Sequence, residues 1–403
     1  MRKVPQVLLI IETSKAYGRG LLEGIGHYAM THGPWSVYLE ERSLQDRLPP
    51  WVAEWKGNGI IVRGNSEEMA RTLLETGLPV VETDPKVTGF GMPFVYTDDR
   101  AVARLAADHF LERGLERLAY CDISRSRWSR LRQEAFLAEL QSRKRECQVF
   151  QIPHRLLQSN WQKQRESLIG WLQTLAKPVG ILAENDVCGH RLLDACRFID
   201  IAVPEQIAVL GVDNDPVLCR LSAPSLSSID LNVQRIGYEA AALLDGMMAG
   251  RRTPHEQILI EPLGVVSRQS TDVLAIEDGD VAEAVRFIRL KACSGIDVED
   301  VLGAVPVSRR VLERRFRKCL GKTPKEEIMR VKLNRAKELL SQTDLSIGKI
   351  ALQTGFSSIN YFANVFQREM KTSPRAYRNG FRLMGDRLEG RGLGPRMNGD
   401  ERR

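Results

Sequence analysis

Between residues 4 and 264, short apolar runs alternate with longer segments in which apolar positions recur every three to four residues. The first kind predicts buried strands and the second amphipathic helices. Strands are predicted at 7–12, 59–62, 79–82, 95–97, 117–122, 149–152, 179–183, 207–212, 227–231 and 257–260. Helices are predicted between them at 20–31, 67–76, 100–113, 132–141, 161–175, 188–199 and 234–248. Such alternation implies parallel sheets covered by helices on both faces, and about 260 residues suits two lobes better than one. In folds of this kind a ligand sits beyond the C-terminal ends of the strands or in the cleft between lobes.

The pattern then changes. Residues 267–280 (SRQSTDVLAIEDGD) are polar and acidic and read as a linker, which makes 1–266 the first domain. From 281 to 382 only helical periodicity is visible, with helices at 281–292, 298–305, 308–320, 324–341 and 347–353 and one more after Ser358. In the last pair, Ile347, Ile350 and Ala351 make a half-buried stripe, and Gly355 stands where the turn needs positive φ. Ser357 and Ser358 can cap the following helix, whose Ile359, Phe362 and Phe366 face inward while Asn360, Asn364 and Gln367 face out. A helix held by its Phe side and offering amides on the other suits a major groove. An earlier pair, 297–320, repeats the plan with Leu312, Phe316 and Leu320 inside and Arg310, Glu313, Arg314 and Arg317 outside. The intervening helix of ~18 residues spans ~27 Å, so both outer faces can reach successive major grooves about 34 Å apart.

Charge sharpens this division. Residues 1–280 carry 32 Lys+Arg against 37 Asp+Glu, whereas 281–382 carry 21 against 10. A basic block on an acidic body is the electrostatic footprint expected for phosphates; a solvated basic surface is the other reading of charge alone. The tail 383–403 is rich in Gly and charge and is expected to be disordered. Seven cysteines without a CxxC motif point to reduced thiols in a cytoplasm. No apolar run reaches the ~18 residues of a membrane span, and the N-terminal run ends at Glu12 without a small-residue cleavage site.

Residues 283–381 resemble the AraC-type DNA-binding domain. The likeness rests on Ser308…Leu312…Phe316, Gly321-Lys322-Thr323-Pro324, Ala336…Leu339-Leu340, Gly355-Phe356…Tyr361-Phe362…Phe366 and Ser373-Pro374…Tyr377-Arg378. Pro306 departs from that family, which usually has Gly in the first turn; Pro cannot take positive φ, so this turn must be built differently. The outward residues then suggest roles: Arg310, Arg314 and Arg317 toward guanine edges or phosphates, Glu313 toward cytosine N4, and Asn360 and Asn364 toward adenine or phosphate.

The first domain resembles the periplasmic-binding-protein-like sensor of LacI/GalR-type repressors, without their N-terminal headpiece. Arg132, the pair Asn185-Asp186, and Asp213 match cleft positions after strands. Tyr17, Arg19 and Trp128 lie on comparable loops, where sugar contacts and ordinary surface positions are both open readings. A LacI-like sensor followed by an AraC-type reader is similar to the xylose-operon activators. That resemblance implies D-xylose as effector, an operator duplex and RNA polymerase as partners, a homodimer, and activation when the cleft closes. The motifs leave repression, or another sugar, as alternatives.

An enzyme is the rival class. Gly18-Arg19-Gly20…Gly24 follows the first strand, but its spacing is G-x-G-x-x-x-G and not the dinucleotide fingerprint. No GxSxG, Walker A or HExxH motif is present, and no cofactor or metal is expected.

Overall fold

In the computed structural model, the residues described are 4–40, 43, 46–64, 66–84, 91–251, 257–272, 278–343 and 345–379. The chain divides into two compact units, Met1–Ala275 and Ile276–Arg403. The tail expected to be disordered, 383–403, lies outside the described residues, as do 273–277 of the expected linker.

The first unit runs β1 (Gln6–Ile10), α1 (Ala16–His32), β2 (Ser36–Leu39), β3 (Gly59–Val62), α2 (Glu67–Glu75), β4 (Val80–Glu82), β5 (Phe94–Thr97) and α3 (Asp99–Leu111). It continues with β6 (Leu118–Asp122), α4 (Arg127–Ser142), β7 (Cys147–Gln151), α5 (Trp161–Thr174), β8 (Val179–Ala183), α6 (Asp186–Phe198), β9 (Ile207–Val212) and α7 (Pro216–Leu221). Then come β10 (Ser227–Asp230), α8 (Val233–Met248), β11 (Gln257–Ile260) and β12 (Gly264–Val266).

Two six-stranded sheets result, ordered β11-β5-β4-β3-β1-β2 and β12-β10-β9-β8-β6-β7. Among the described residues every pairing is parallel except β10 with β12. The chain therefore crosses between lobes three times, after β5, after β10 and after β11. Central strands such as β3, β8 and β9 are buried along their whole length, as helix-covered parallel strands must be.

The glycines that invited a dinucleotide reading have a packing role. A Cβ on Gly18 would come within 1.8 Å of the Glu12 carbonyl, and one on Gly24 within 2.0 Å of the Gln234 carbonyl. Gly237 answers from α8, where a Cβ would meet the Leu21 carbonyl at 2.1 Å. Bare backbone at Gly24 and Gly237 lets α1 and α8 lie against each other, while Gly18 lets α1 start close against the segment after β1.

The second unit is helical: α9 (Gly279–Lys291), α10 (Val298–Gly303), α11 (Arg309–Leu320), α12 (Pro324–Gln342), α13 (Ile347–Gln353) and α14 (Ile359–Met370). The N-terminal part of α12 joins a core with α9, α10 and α11 through Ile328 and Val331. Its C-terminal part joins α13 and α14 through Leu333, Ala336, Leu339 and Leu340. One 19-residue helix thus belongs to both helix pairs. Thr323 and Glu326 close a capping box at its start, and Pro324 takes the first turn, where its missing N–H costs nothing.

Two sequence expectations are corrected here. Ile359 is 53% exposed and Val365 takes the inward position with Phe362 and Phe366; Ile359 instead lies over Gly348, where a Cβ would meet its Cδ1 at 2.9 Å. The start of the expected linker is also not a spacer. Residues Gln269–Thr271 form a 3-10 turn, and the Ser270 and Thr271 side chains are fully buried.

Candidate functional site

In the first unit the polar residues gather where both sheets end. From one lobe come Glu12, two residues beyond β1, Arg63 directly after β3, Asp84 beyond β4, and Thr97 closing β5; all are buried. Tyr17 joins them from the first turn of α1. From the other lobe come Asp99 at the start of α3, Trp128 and Arg132 on α4, and Asp213 directly after β9. Parallel strands force this arrangement, because all their C-terminal ends point to one side.

The charges are organised around two arginines. Arg132 donates from Nε to Asp99 Oδ1 at 2.9 Å and from Nη1 to the Glu184 carbonyl at 2.6 Å. Burial opposes its charge, but Asp99, Tyr96, Tyr120 and Asp213 more than compensate and hold it protonated. Its guanidinium lies 5.5 Å from the Trp128 ring centre. Arg63 pairs with Glu12, sits 3.6 Å from Asp84, and stacks 4.2 Å over the Tyr17 ring. Tyr17 loses acidity through burial first and the carboxylates of Asp84 and Asp213 next. Asp213 is pushed up to about 6 by burial, against the pull of Arg132, Arg63 and Lys15. Groups from both lobes therefore share one electrostatic field.

Several buried atoms at this junction have no protein partner: Glu12 Oε2, Tyr17 Oη, Thr97 Oγ1 and Trp128 Nε1. The Tyr17 hydroxyl and the Thr97 hydroxyl are neighbours at the junction. Buried polar atoms are normally satisfied, and a neutral polyhydroxylated molecule offers donors and acceptors together. Tyr17 and Trp128 add aromatic faces, and fixed carboxylates and guanidinia orient hydroxyls without requiring a charged ligand.

The sequence-derived cleft residues divide. Tyr17, Trp128, Arg132 and Asp213 come together as just described, although Tyr17 and Trp128 stand on helices and not on loops. Arg19 is exposed on α1, its Nη1 donating to the Thr13 carbonyl at 2.9 Å. Asn185 caps α6, its Oδ1 accepting from Cys188 N at 2.9 Å. Asp186 is committed to the protein: its oxygens accept from Ser228 Oγ and Asp215 N, both at 2.6 Å, and from Cys219 Sγ at 3.4 Å. A Cβ on Gly211 would strike Asp186 Oδ1 at 2.1 Å, so Gly211 makes room for this fastening. The expected Asn185-Asp186 ligand pair thus also serves the protein as a helix cap and a buried brace. Glu12, Arg63, Asp84, Thr97 and Asp99 were missed. Their signal was a lone polar residue at or just after each apolar strand.

In the second unit, α11 and α14 present matching faces. Arg310, Arg314 and Arg317 are exposed at spacing i, i+4, i+7, as are Asn360, Asn364 and Gln367. The three arginines make no ion pair or hydrogen bond among the described residues. Glu313 is engaged with Arg309 at 3.1 Å, and Arg309 also reaches Glu299 at 2.8 Å. The second turn uses Gly355 at φ +70°, while Ser358 Oγ caps α14 by accepting from Tyr361 N at 3.1 Å. The first turn has no positive-φ residue among the described residues. Val307 N donates to the Val305 carbonyl at 2.9 Å around Pro306, closing a three-residue turn that suits the fixed φ of proline.

A buried polar junction between two lobes, in a chain that also carries paired helix-turn-helix units, fits a sugar-responsive, AraC-type transcription regulator. The XylR N-terminal domain family matches residues 6–90, the periplasmic binding protein-like domain family 107–271, and a helix-turn-helix domain family 302–380. The chain is 33% identical to the xylose operon regulatory protein of Escherichia coli K12, over 93% of this chain and 97% of that one. It is also 33% identical to the Haemophilus influenzae protein of the same name, over 93% and 98%. Among solved structures, a xylose-binding transcription activator XylR superposes with a TM-score of 0.81 at 32% identity, covering 94% of this chain and 99% of that one. The chain belongs to the family of xylose operon regulatory proteins, whose work is regulatory and not enzymatic.

Proposed function

We propose that the chain activates pentose catabolic genes in response to D-xylose. It does so in the cytoplasm, as a homodimer that engages an operator duplex and RNA polymerase. The observation that carries this reading is the convergence at the lobe junction of Arg63 stacked over Tyr17 from one lobe and Arg132, bonded to Asp99 beside Trp128, from the other. A ligand bridging these groups favours the closed arrangement and shifts a pre-existing equilibrium. Tyr17, Arg63, Trp128, Arg132 and Asp213 are its contacts, with the unpartnered oxygens of Glu12 and Thr97 taking further hydroxyls. Arg19 stands at the rim. Arg310, Arg314 and Arg317 supply the cationic contacts to DNA, and Asn360, Asn364 and Gln367 the amide contacts; Glu313 acts by orienting Arg309. The names of the full-length relatives support xylose, and their coverage of both units supports one shared mechanism.

A thermal-shift series with pentoses and hexoses tests the effector, because a ligand bound to the folded state raises apparent stability by mass action. D-xylose is expected to give the largest shift and to change operator affinity or footprint. A larger shift with a hexose would reassign the effector; no change in footprint or transcription at saturating sugar would defeat the mechanism.

A further inference from the structure

The polypeptide that leaves the sensor is fastened to the start of β10 and the middle of β9, and its Arg268 side chain reaches the turn that carries Asp213. Asp213 and Asn214 both hold positive φ, +107° and +51°, which non-glycine residues keep only when their surroundings enforce it. Asn214 is enforced from three directions. Its N–H donates to Ser228 Oγ at 3.0 Å, its Nδ2 to Asp230 Oδ2 at 3.1 Å, and its Oδ1 accepts from Arg268 Nη2 at 2.7 Å. Arg268 Nη1 also donates to the Leu226 carbonyl at 2.9 Å, so one guanidinium ties the turn to β10.

Arg268 begins the segment that ends the first unit. Its N–H donates to Ser227 Oγ at 2.7 Å, and Ser227 Oγ donates to its carbonyl at 3.1 Å. Ser270 Oγ accepts from Ser227 N at 2.8 Å and donates to the Val209 carbonyl at 2.6 Å. Thr271 Oγ1 donates to Ser227 Oγ at 2.7 Å and lies 2.8 Å from His109 Nε2, while Arg113 Nε donates to the Thr271 carbonyl at 2.9 Å. These bonds join residues more than 40 positions apart in sequence, and with Ser270 and Thr271 fully buried they carry the strength of desolvated contacts. Nothing in effector binding alone requires such a fastening four residues before the unit ends at Ala275.

We propose that Arg268 is a positioning residue that couples the Asp213-Asn214 turn to the exit segment and so transmits cleft occupancy toward the DNA-binding unit. The inference rests on the effector reading above. A shift of Asp213 on ligand binding moves Asn214, and the rigid guanidinium fork passes that movement to the 268–271 backbone. Lysine cannot make both of its side-chain contacts, because a single ammonium lacks the planar fork.

The test uses the full-length protein with D-xylose as ligand and a duplex selected in vitro by the wild type. Sugar affinity is followed by calorimetry, and DNA affinity with and without sugar by anisotropy. Arg268→Gln is expected to leave the D-xylose Kd within about threefold while reducing the sugar-dependent change in DNA affinity by about tenfold, with Arg268→Lys in between. Asn214→Gly keeps positive φ but removes the amide, and is expected to uncouple in the same way; it decides the matter if Arg268→Gln does not fold. Wild-type coupling in both Arg268→Gln and Asn214→Gly overturns the inference, as does loss of sugar binding that accounts for the whole loss of response. A wild type whose DNA affinity ignores every sugar instead defeats the effector reading, and the inference with it.

Discussion

The sensor cleft and the reading helices handle charge in opposite ways. In the cleft, arginines are buried and fixed: Arg132 is 2% exposed and held by Asp99 and the Glu184 carbonyl. On α11, Arg310, Arg314 and Arg317 stand in solvent, unpaired among the described residues. The cleft has its desolvation cost met in advance, so a ligand meets preorganised groups. The α11 face keeps its cations exposed to water, and on the proposed reading they exchange counterions for phosphates. Removing a cleft charge should therefore damage the fold, whereas removing a reading charge should damage only binding.

The largest effect is expected at Arg132. Arg132→Met leaves Asp99 buried without its partner and removes the opposing charge from Asp213. A loss of about 3–5 kcal/mol in unfolding free energy is expected, together with loss of the sugar-induced thermal shift. A stability within experimental error of wild type would mean that the cleft tolerates unpaired charge as a surface does.

Gly355→Ala comes next and tests whether the reading unit has a rigid point of its own. The residue holds φ +70°, and a Cβ there would lie 2.8 Å from both Cys293 O and Gly295 N and 2.9 Å from Ala292 O. The Lys332 ammonium donates to the Gly355 carbonyl at 2.8 Å. This turn therefore joins the second helix pair to the segment between α9 and α10. A cost of about 2–4 kcal/mol is expected for the second unit, with operator binding falling in parallel. Unfolding monitored across both units should show the sensor transition unchanged.

How far these features were legible in the sequence follows from burial. Strands 59–62, 179–183, 207–212 and 257–260 were readable to the residue, three of them as uninterrupted buried apolar runs. β2 was missed although Val37, Tyr38 and Leu39 are apolar, because a four-residue run without alternation at an exposed sheet edge is too short to distinguish from a connecting loop. α7 was missed because six residues between Asp215 and Ser222 carry too little periodicity, its Asp215 cap and Pro216 reading as a turn. The cleft was half legible. Arg132 and Asp213 follow strands in a family-like order, but nothing local distinguishes Asp186, whose oxygens brace the fold, from Asp213, which faces the other lobe. Ile359 misled because helical spacing alone cannot say where an inward stripe begins at a first turn.

Titration of Asp213 gives a smaller effect with a definite sign. Its folded pKa is raised to about 6 from the ordinary 3.8, with burial the chief cause. The folded state therefore binds the proton more tightly, so this contribution is fully present below about pH 4 and is lost as pH rises through 6. The residue keeps partial solvent contact, and a contribution of about 1–2 kcal/mol is expected between those limits. Asp213→Asn should flatten that part of the pH–stability curve and abolish the D-xylose shift. An unchanged slope between pH 4 and 6 would mean that Asp213 titrates as a surface carboxylate.

The smallest effect separates the two reading helices. Arg314 and Asn364 occupy equivalent places, six residues after the caps Ser308 and Ser358. A cation that neutralises a phosphate contributes to the salt dependence of binding, whereas a neutral amide releases no counterion. Arg314→Ala is expected to weaken operator binding by about 1 kcal/mol at physiological salt and to reduce the slope of log K against log salt by about one. Asn364→Ala should leave that slope unchanged and alter preference among duplex sequences if its amide reads a base. Binding isotherms at three salt concentrations distinguish the two. Equal slopes for wild type and Arg314→Ala would remove Arg314 from the phosphate contacts, and the cationic α11 face would then be a solvated surface.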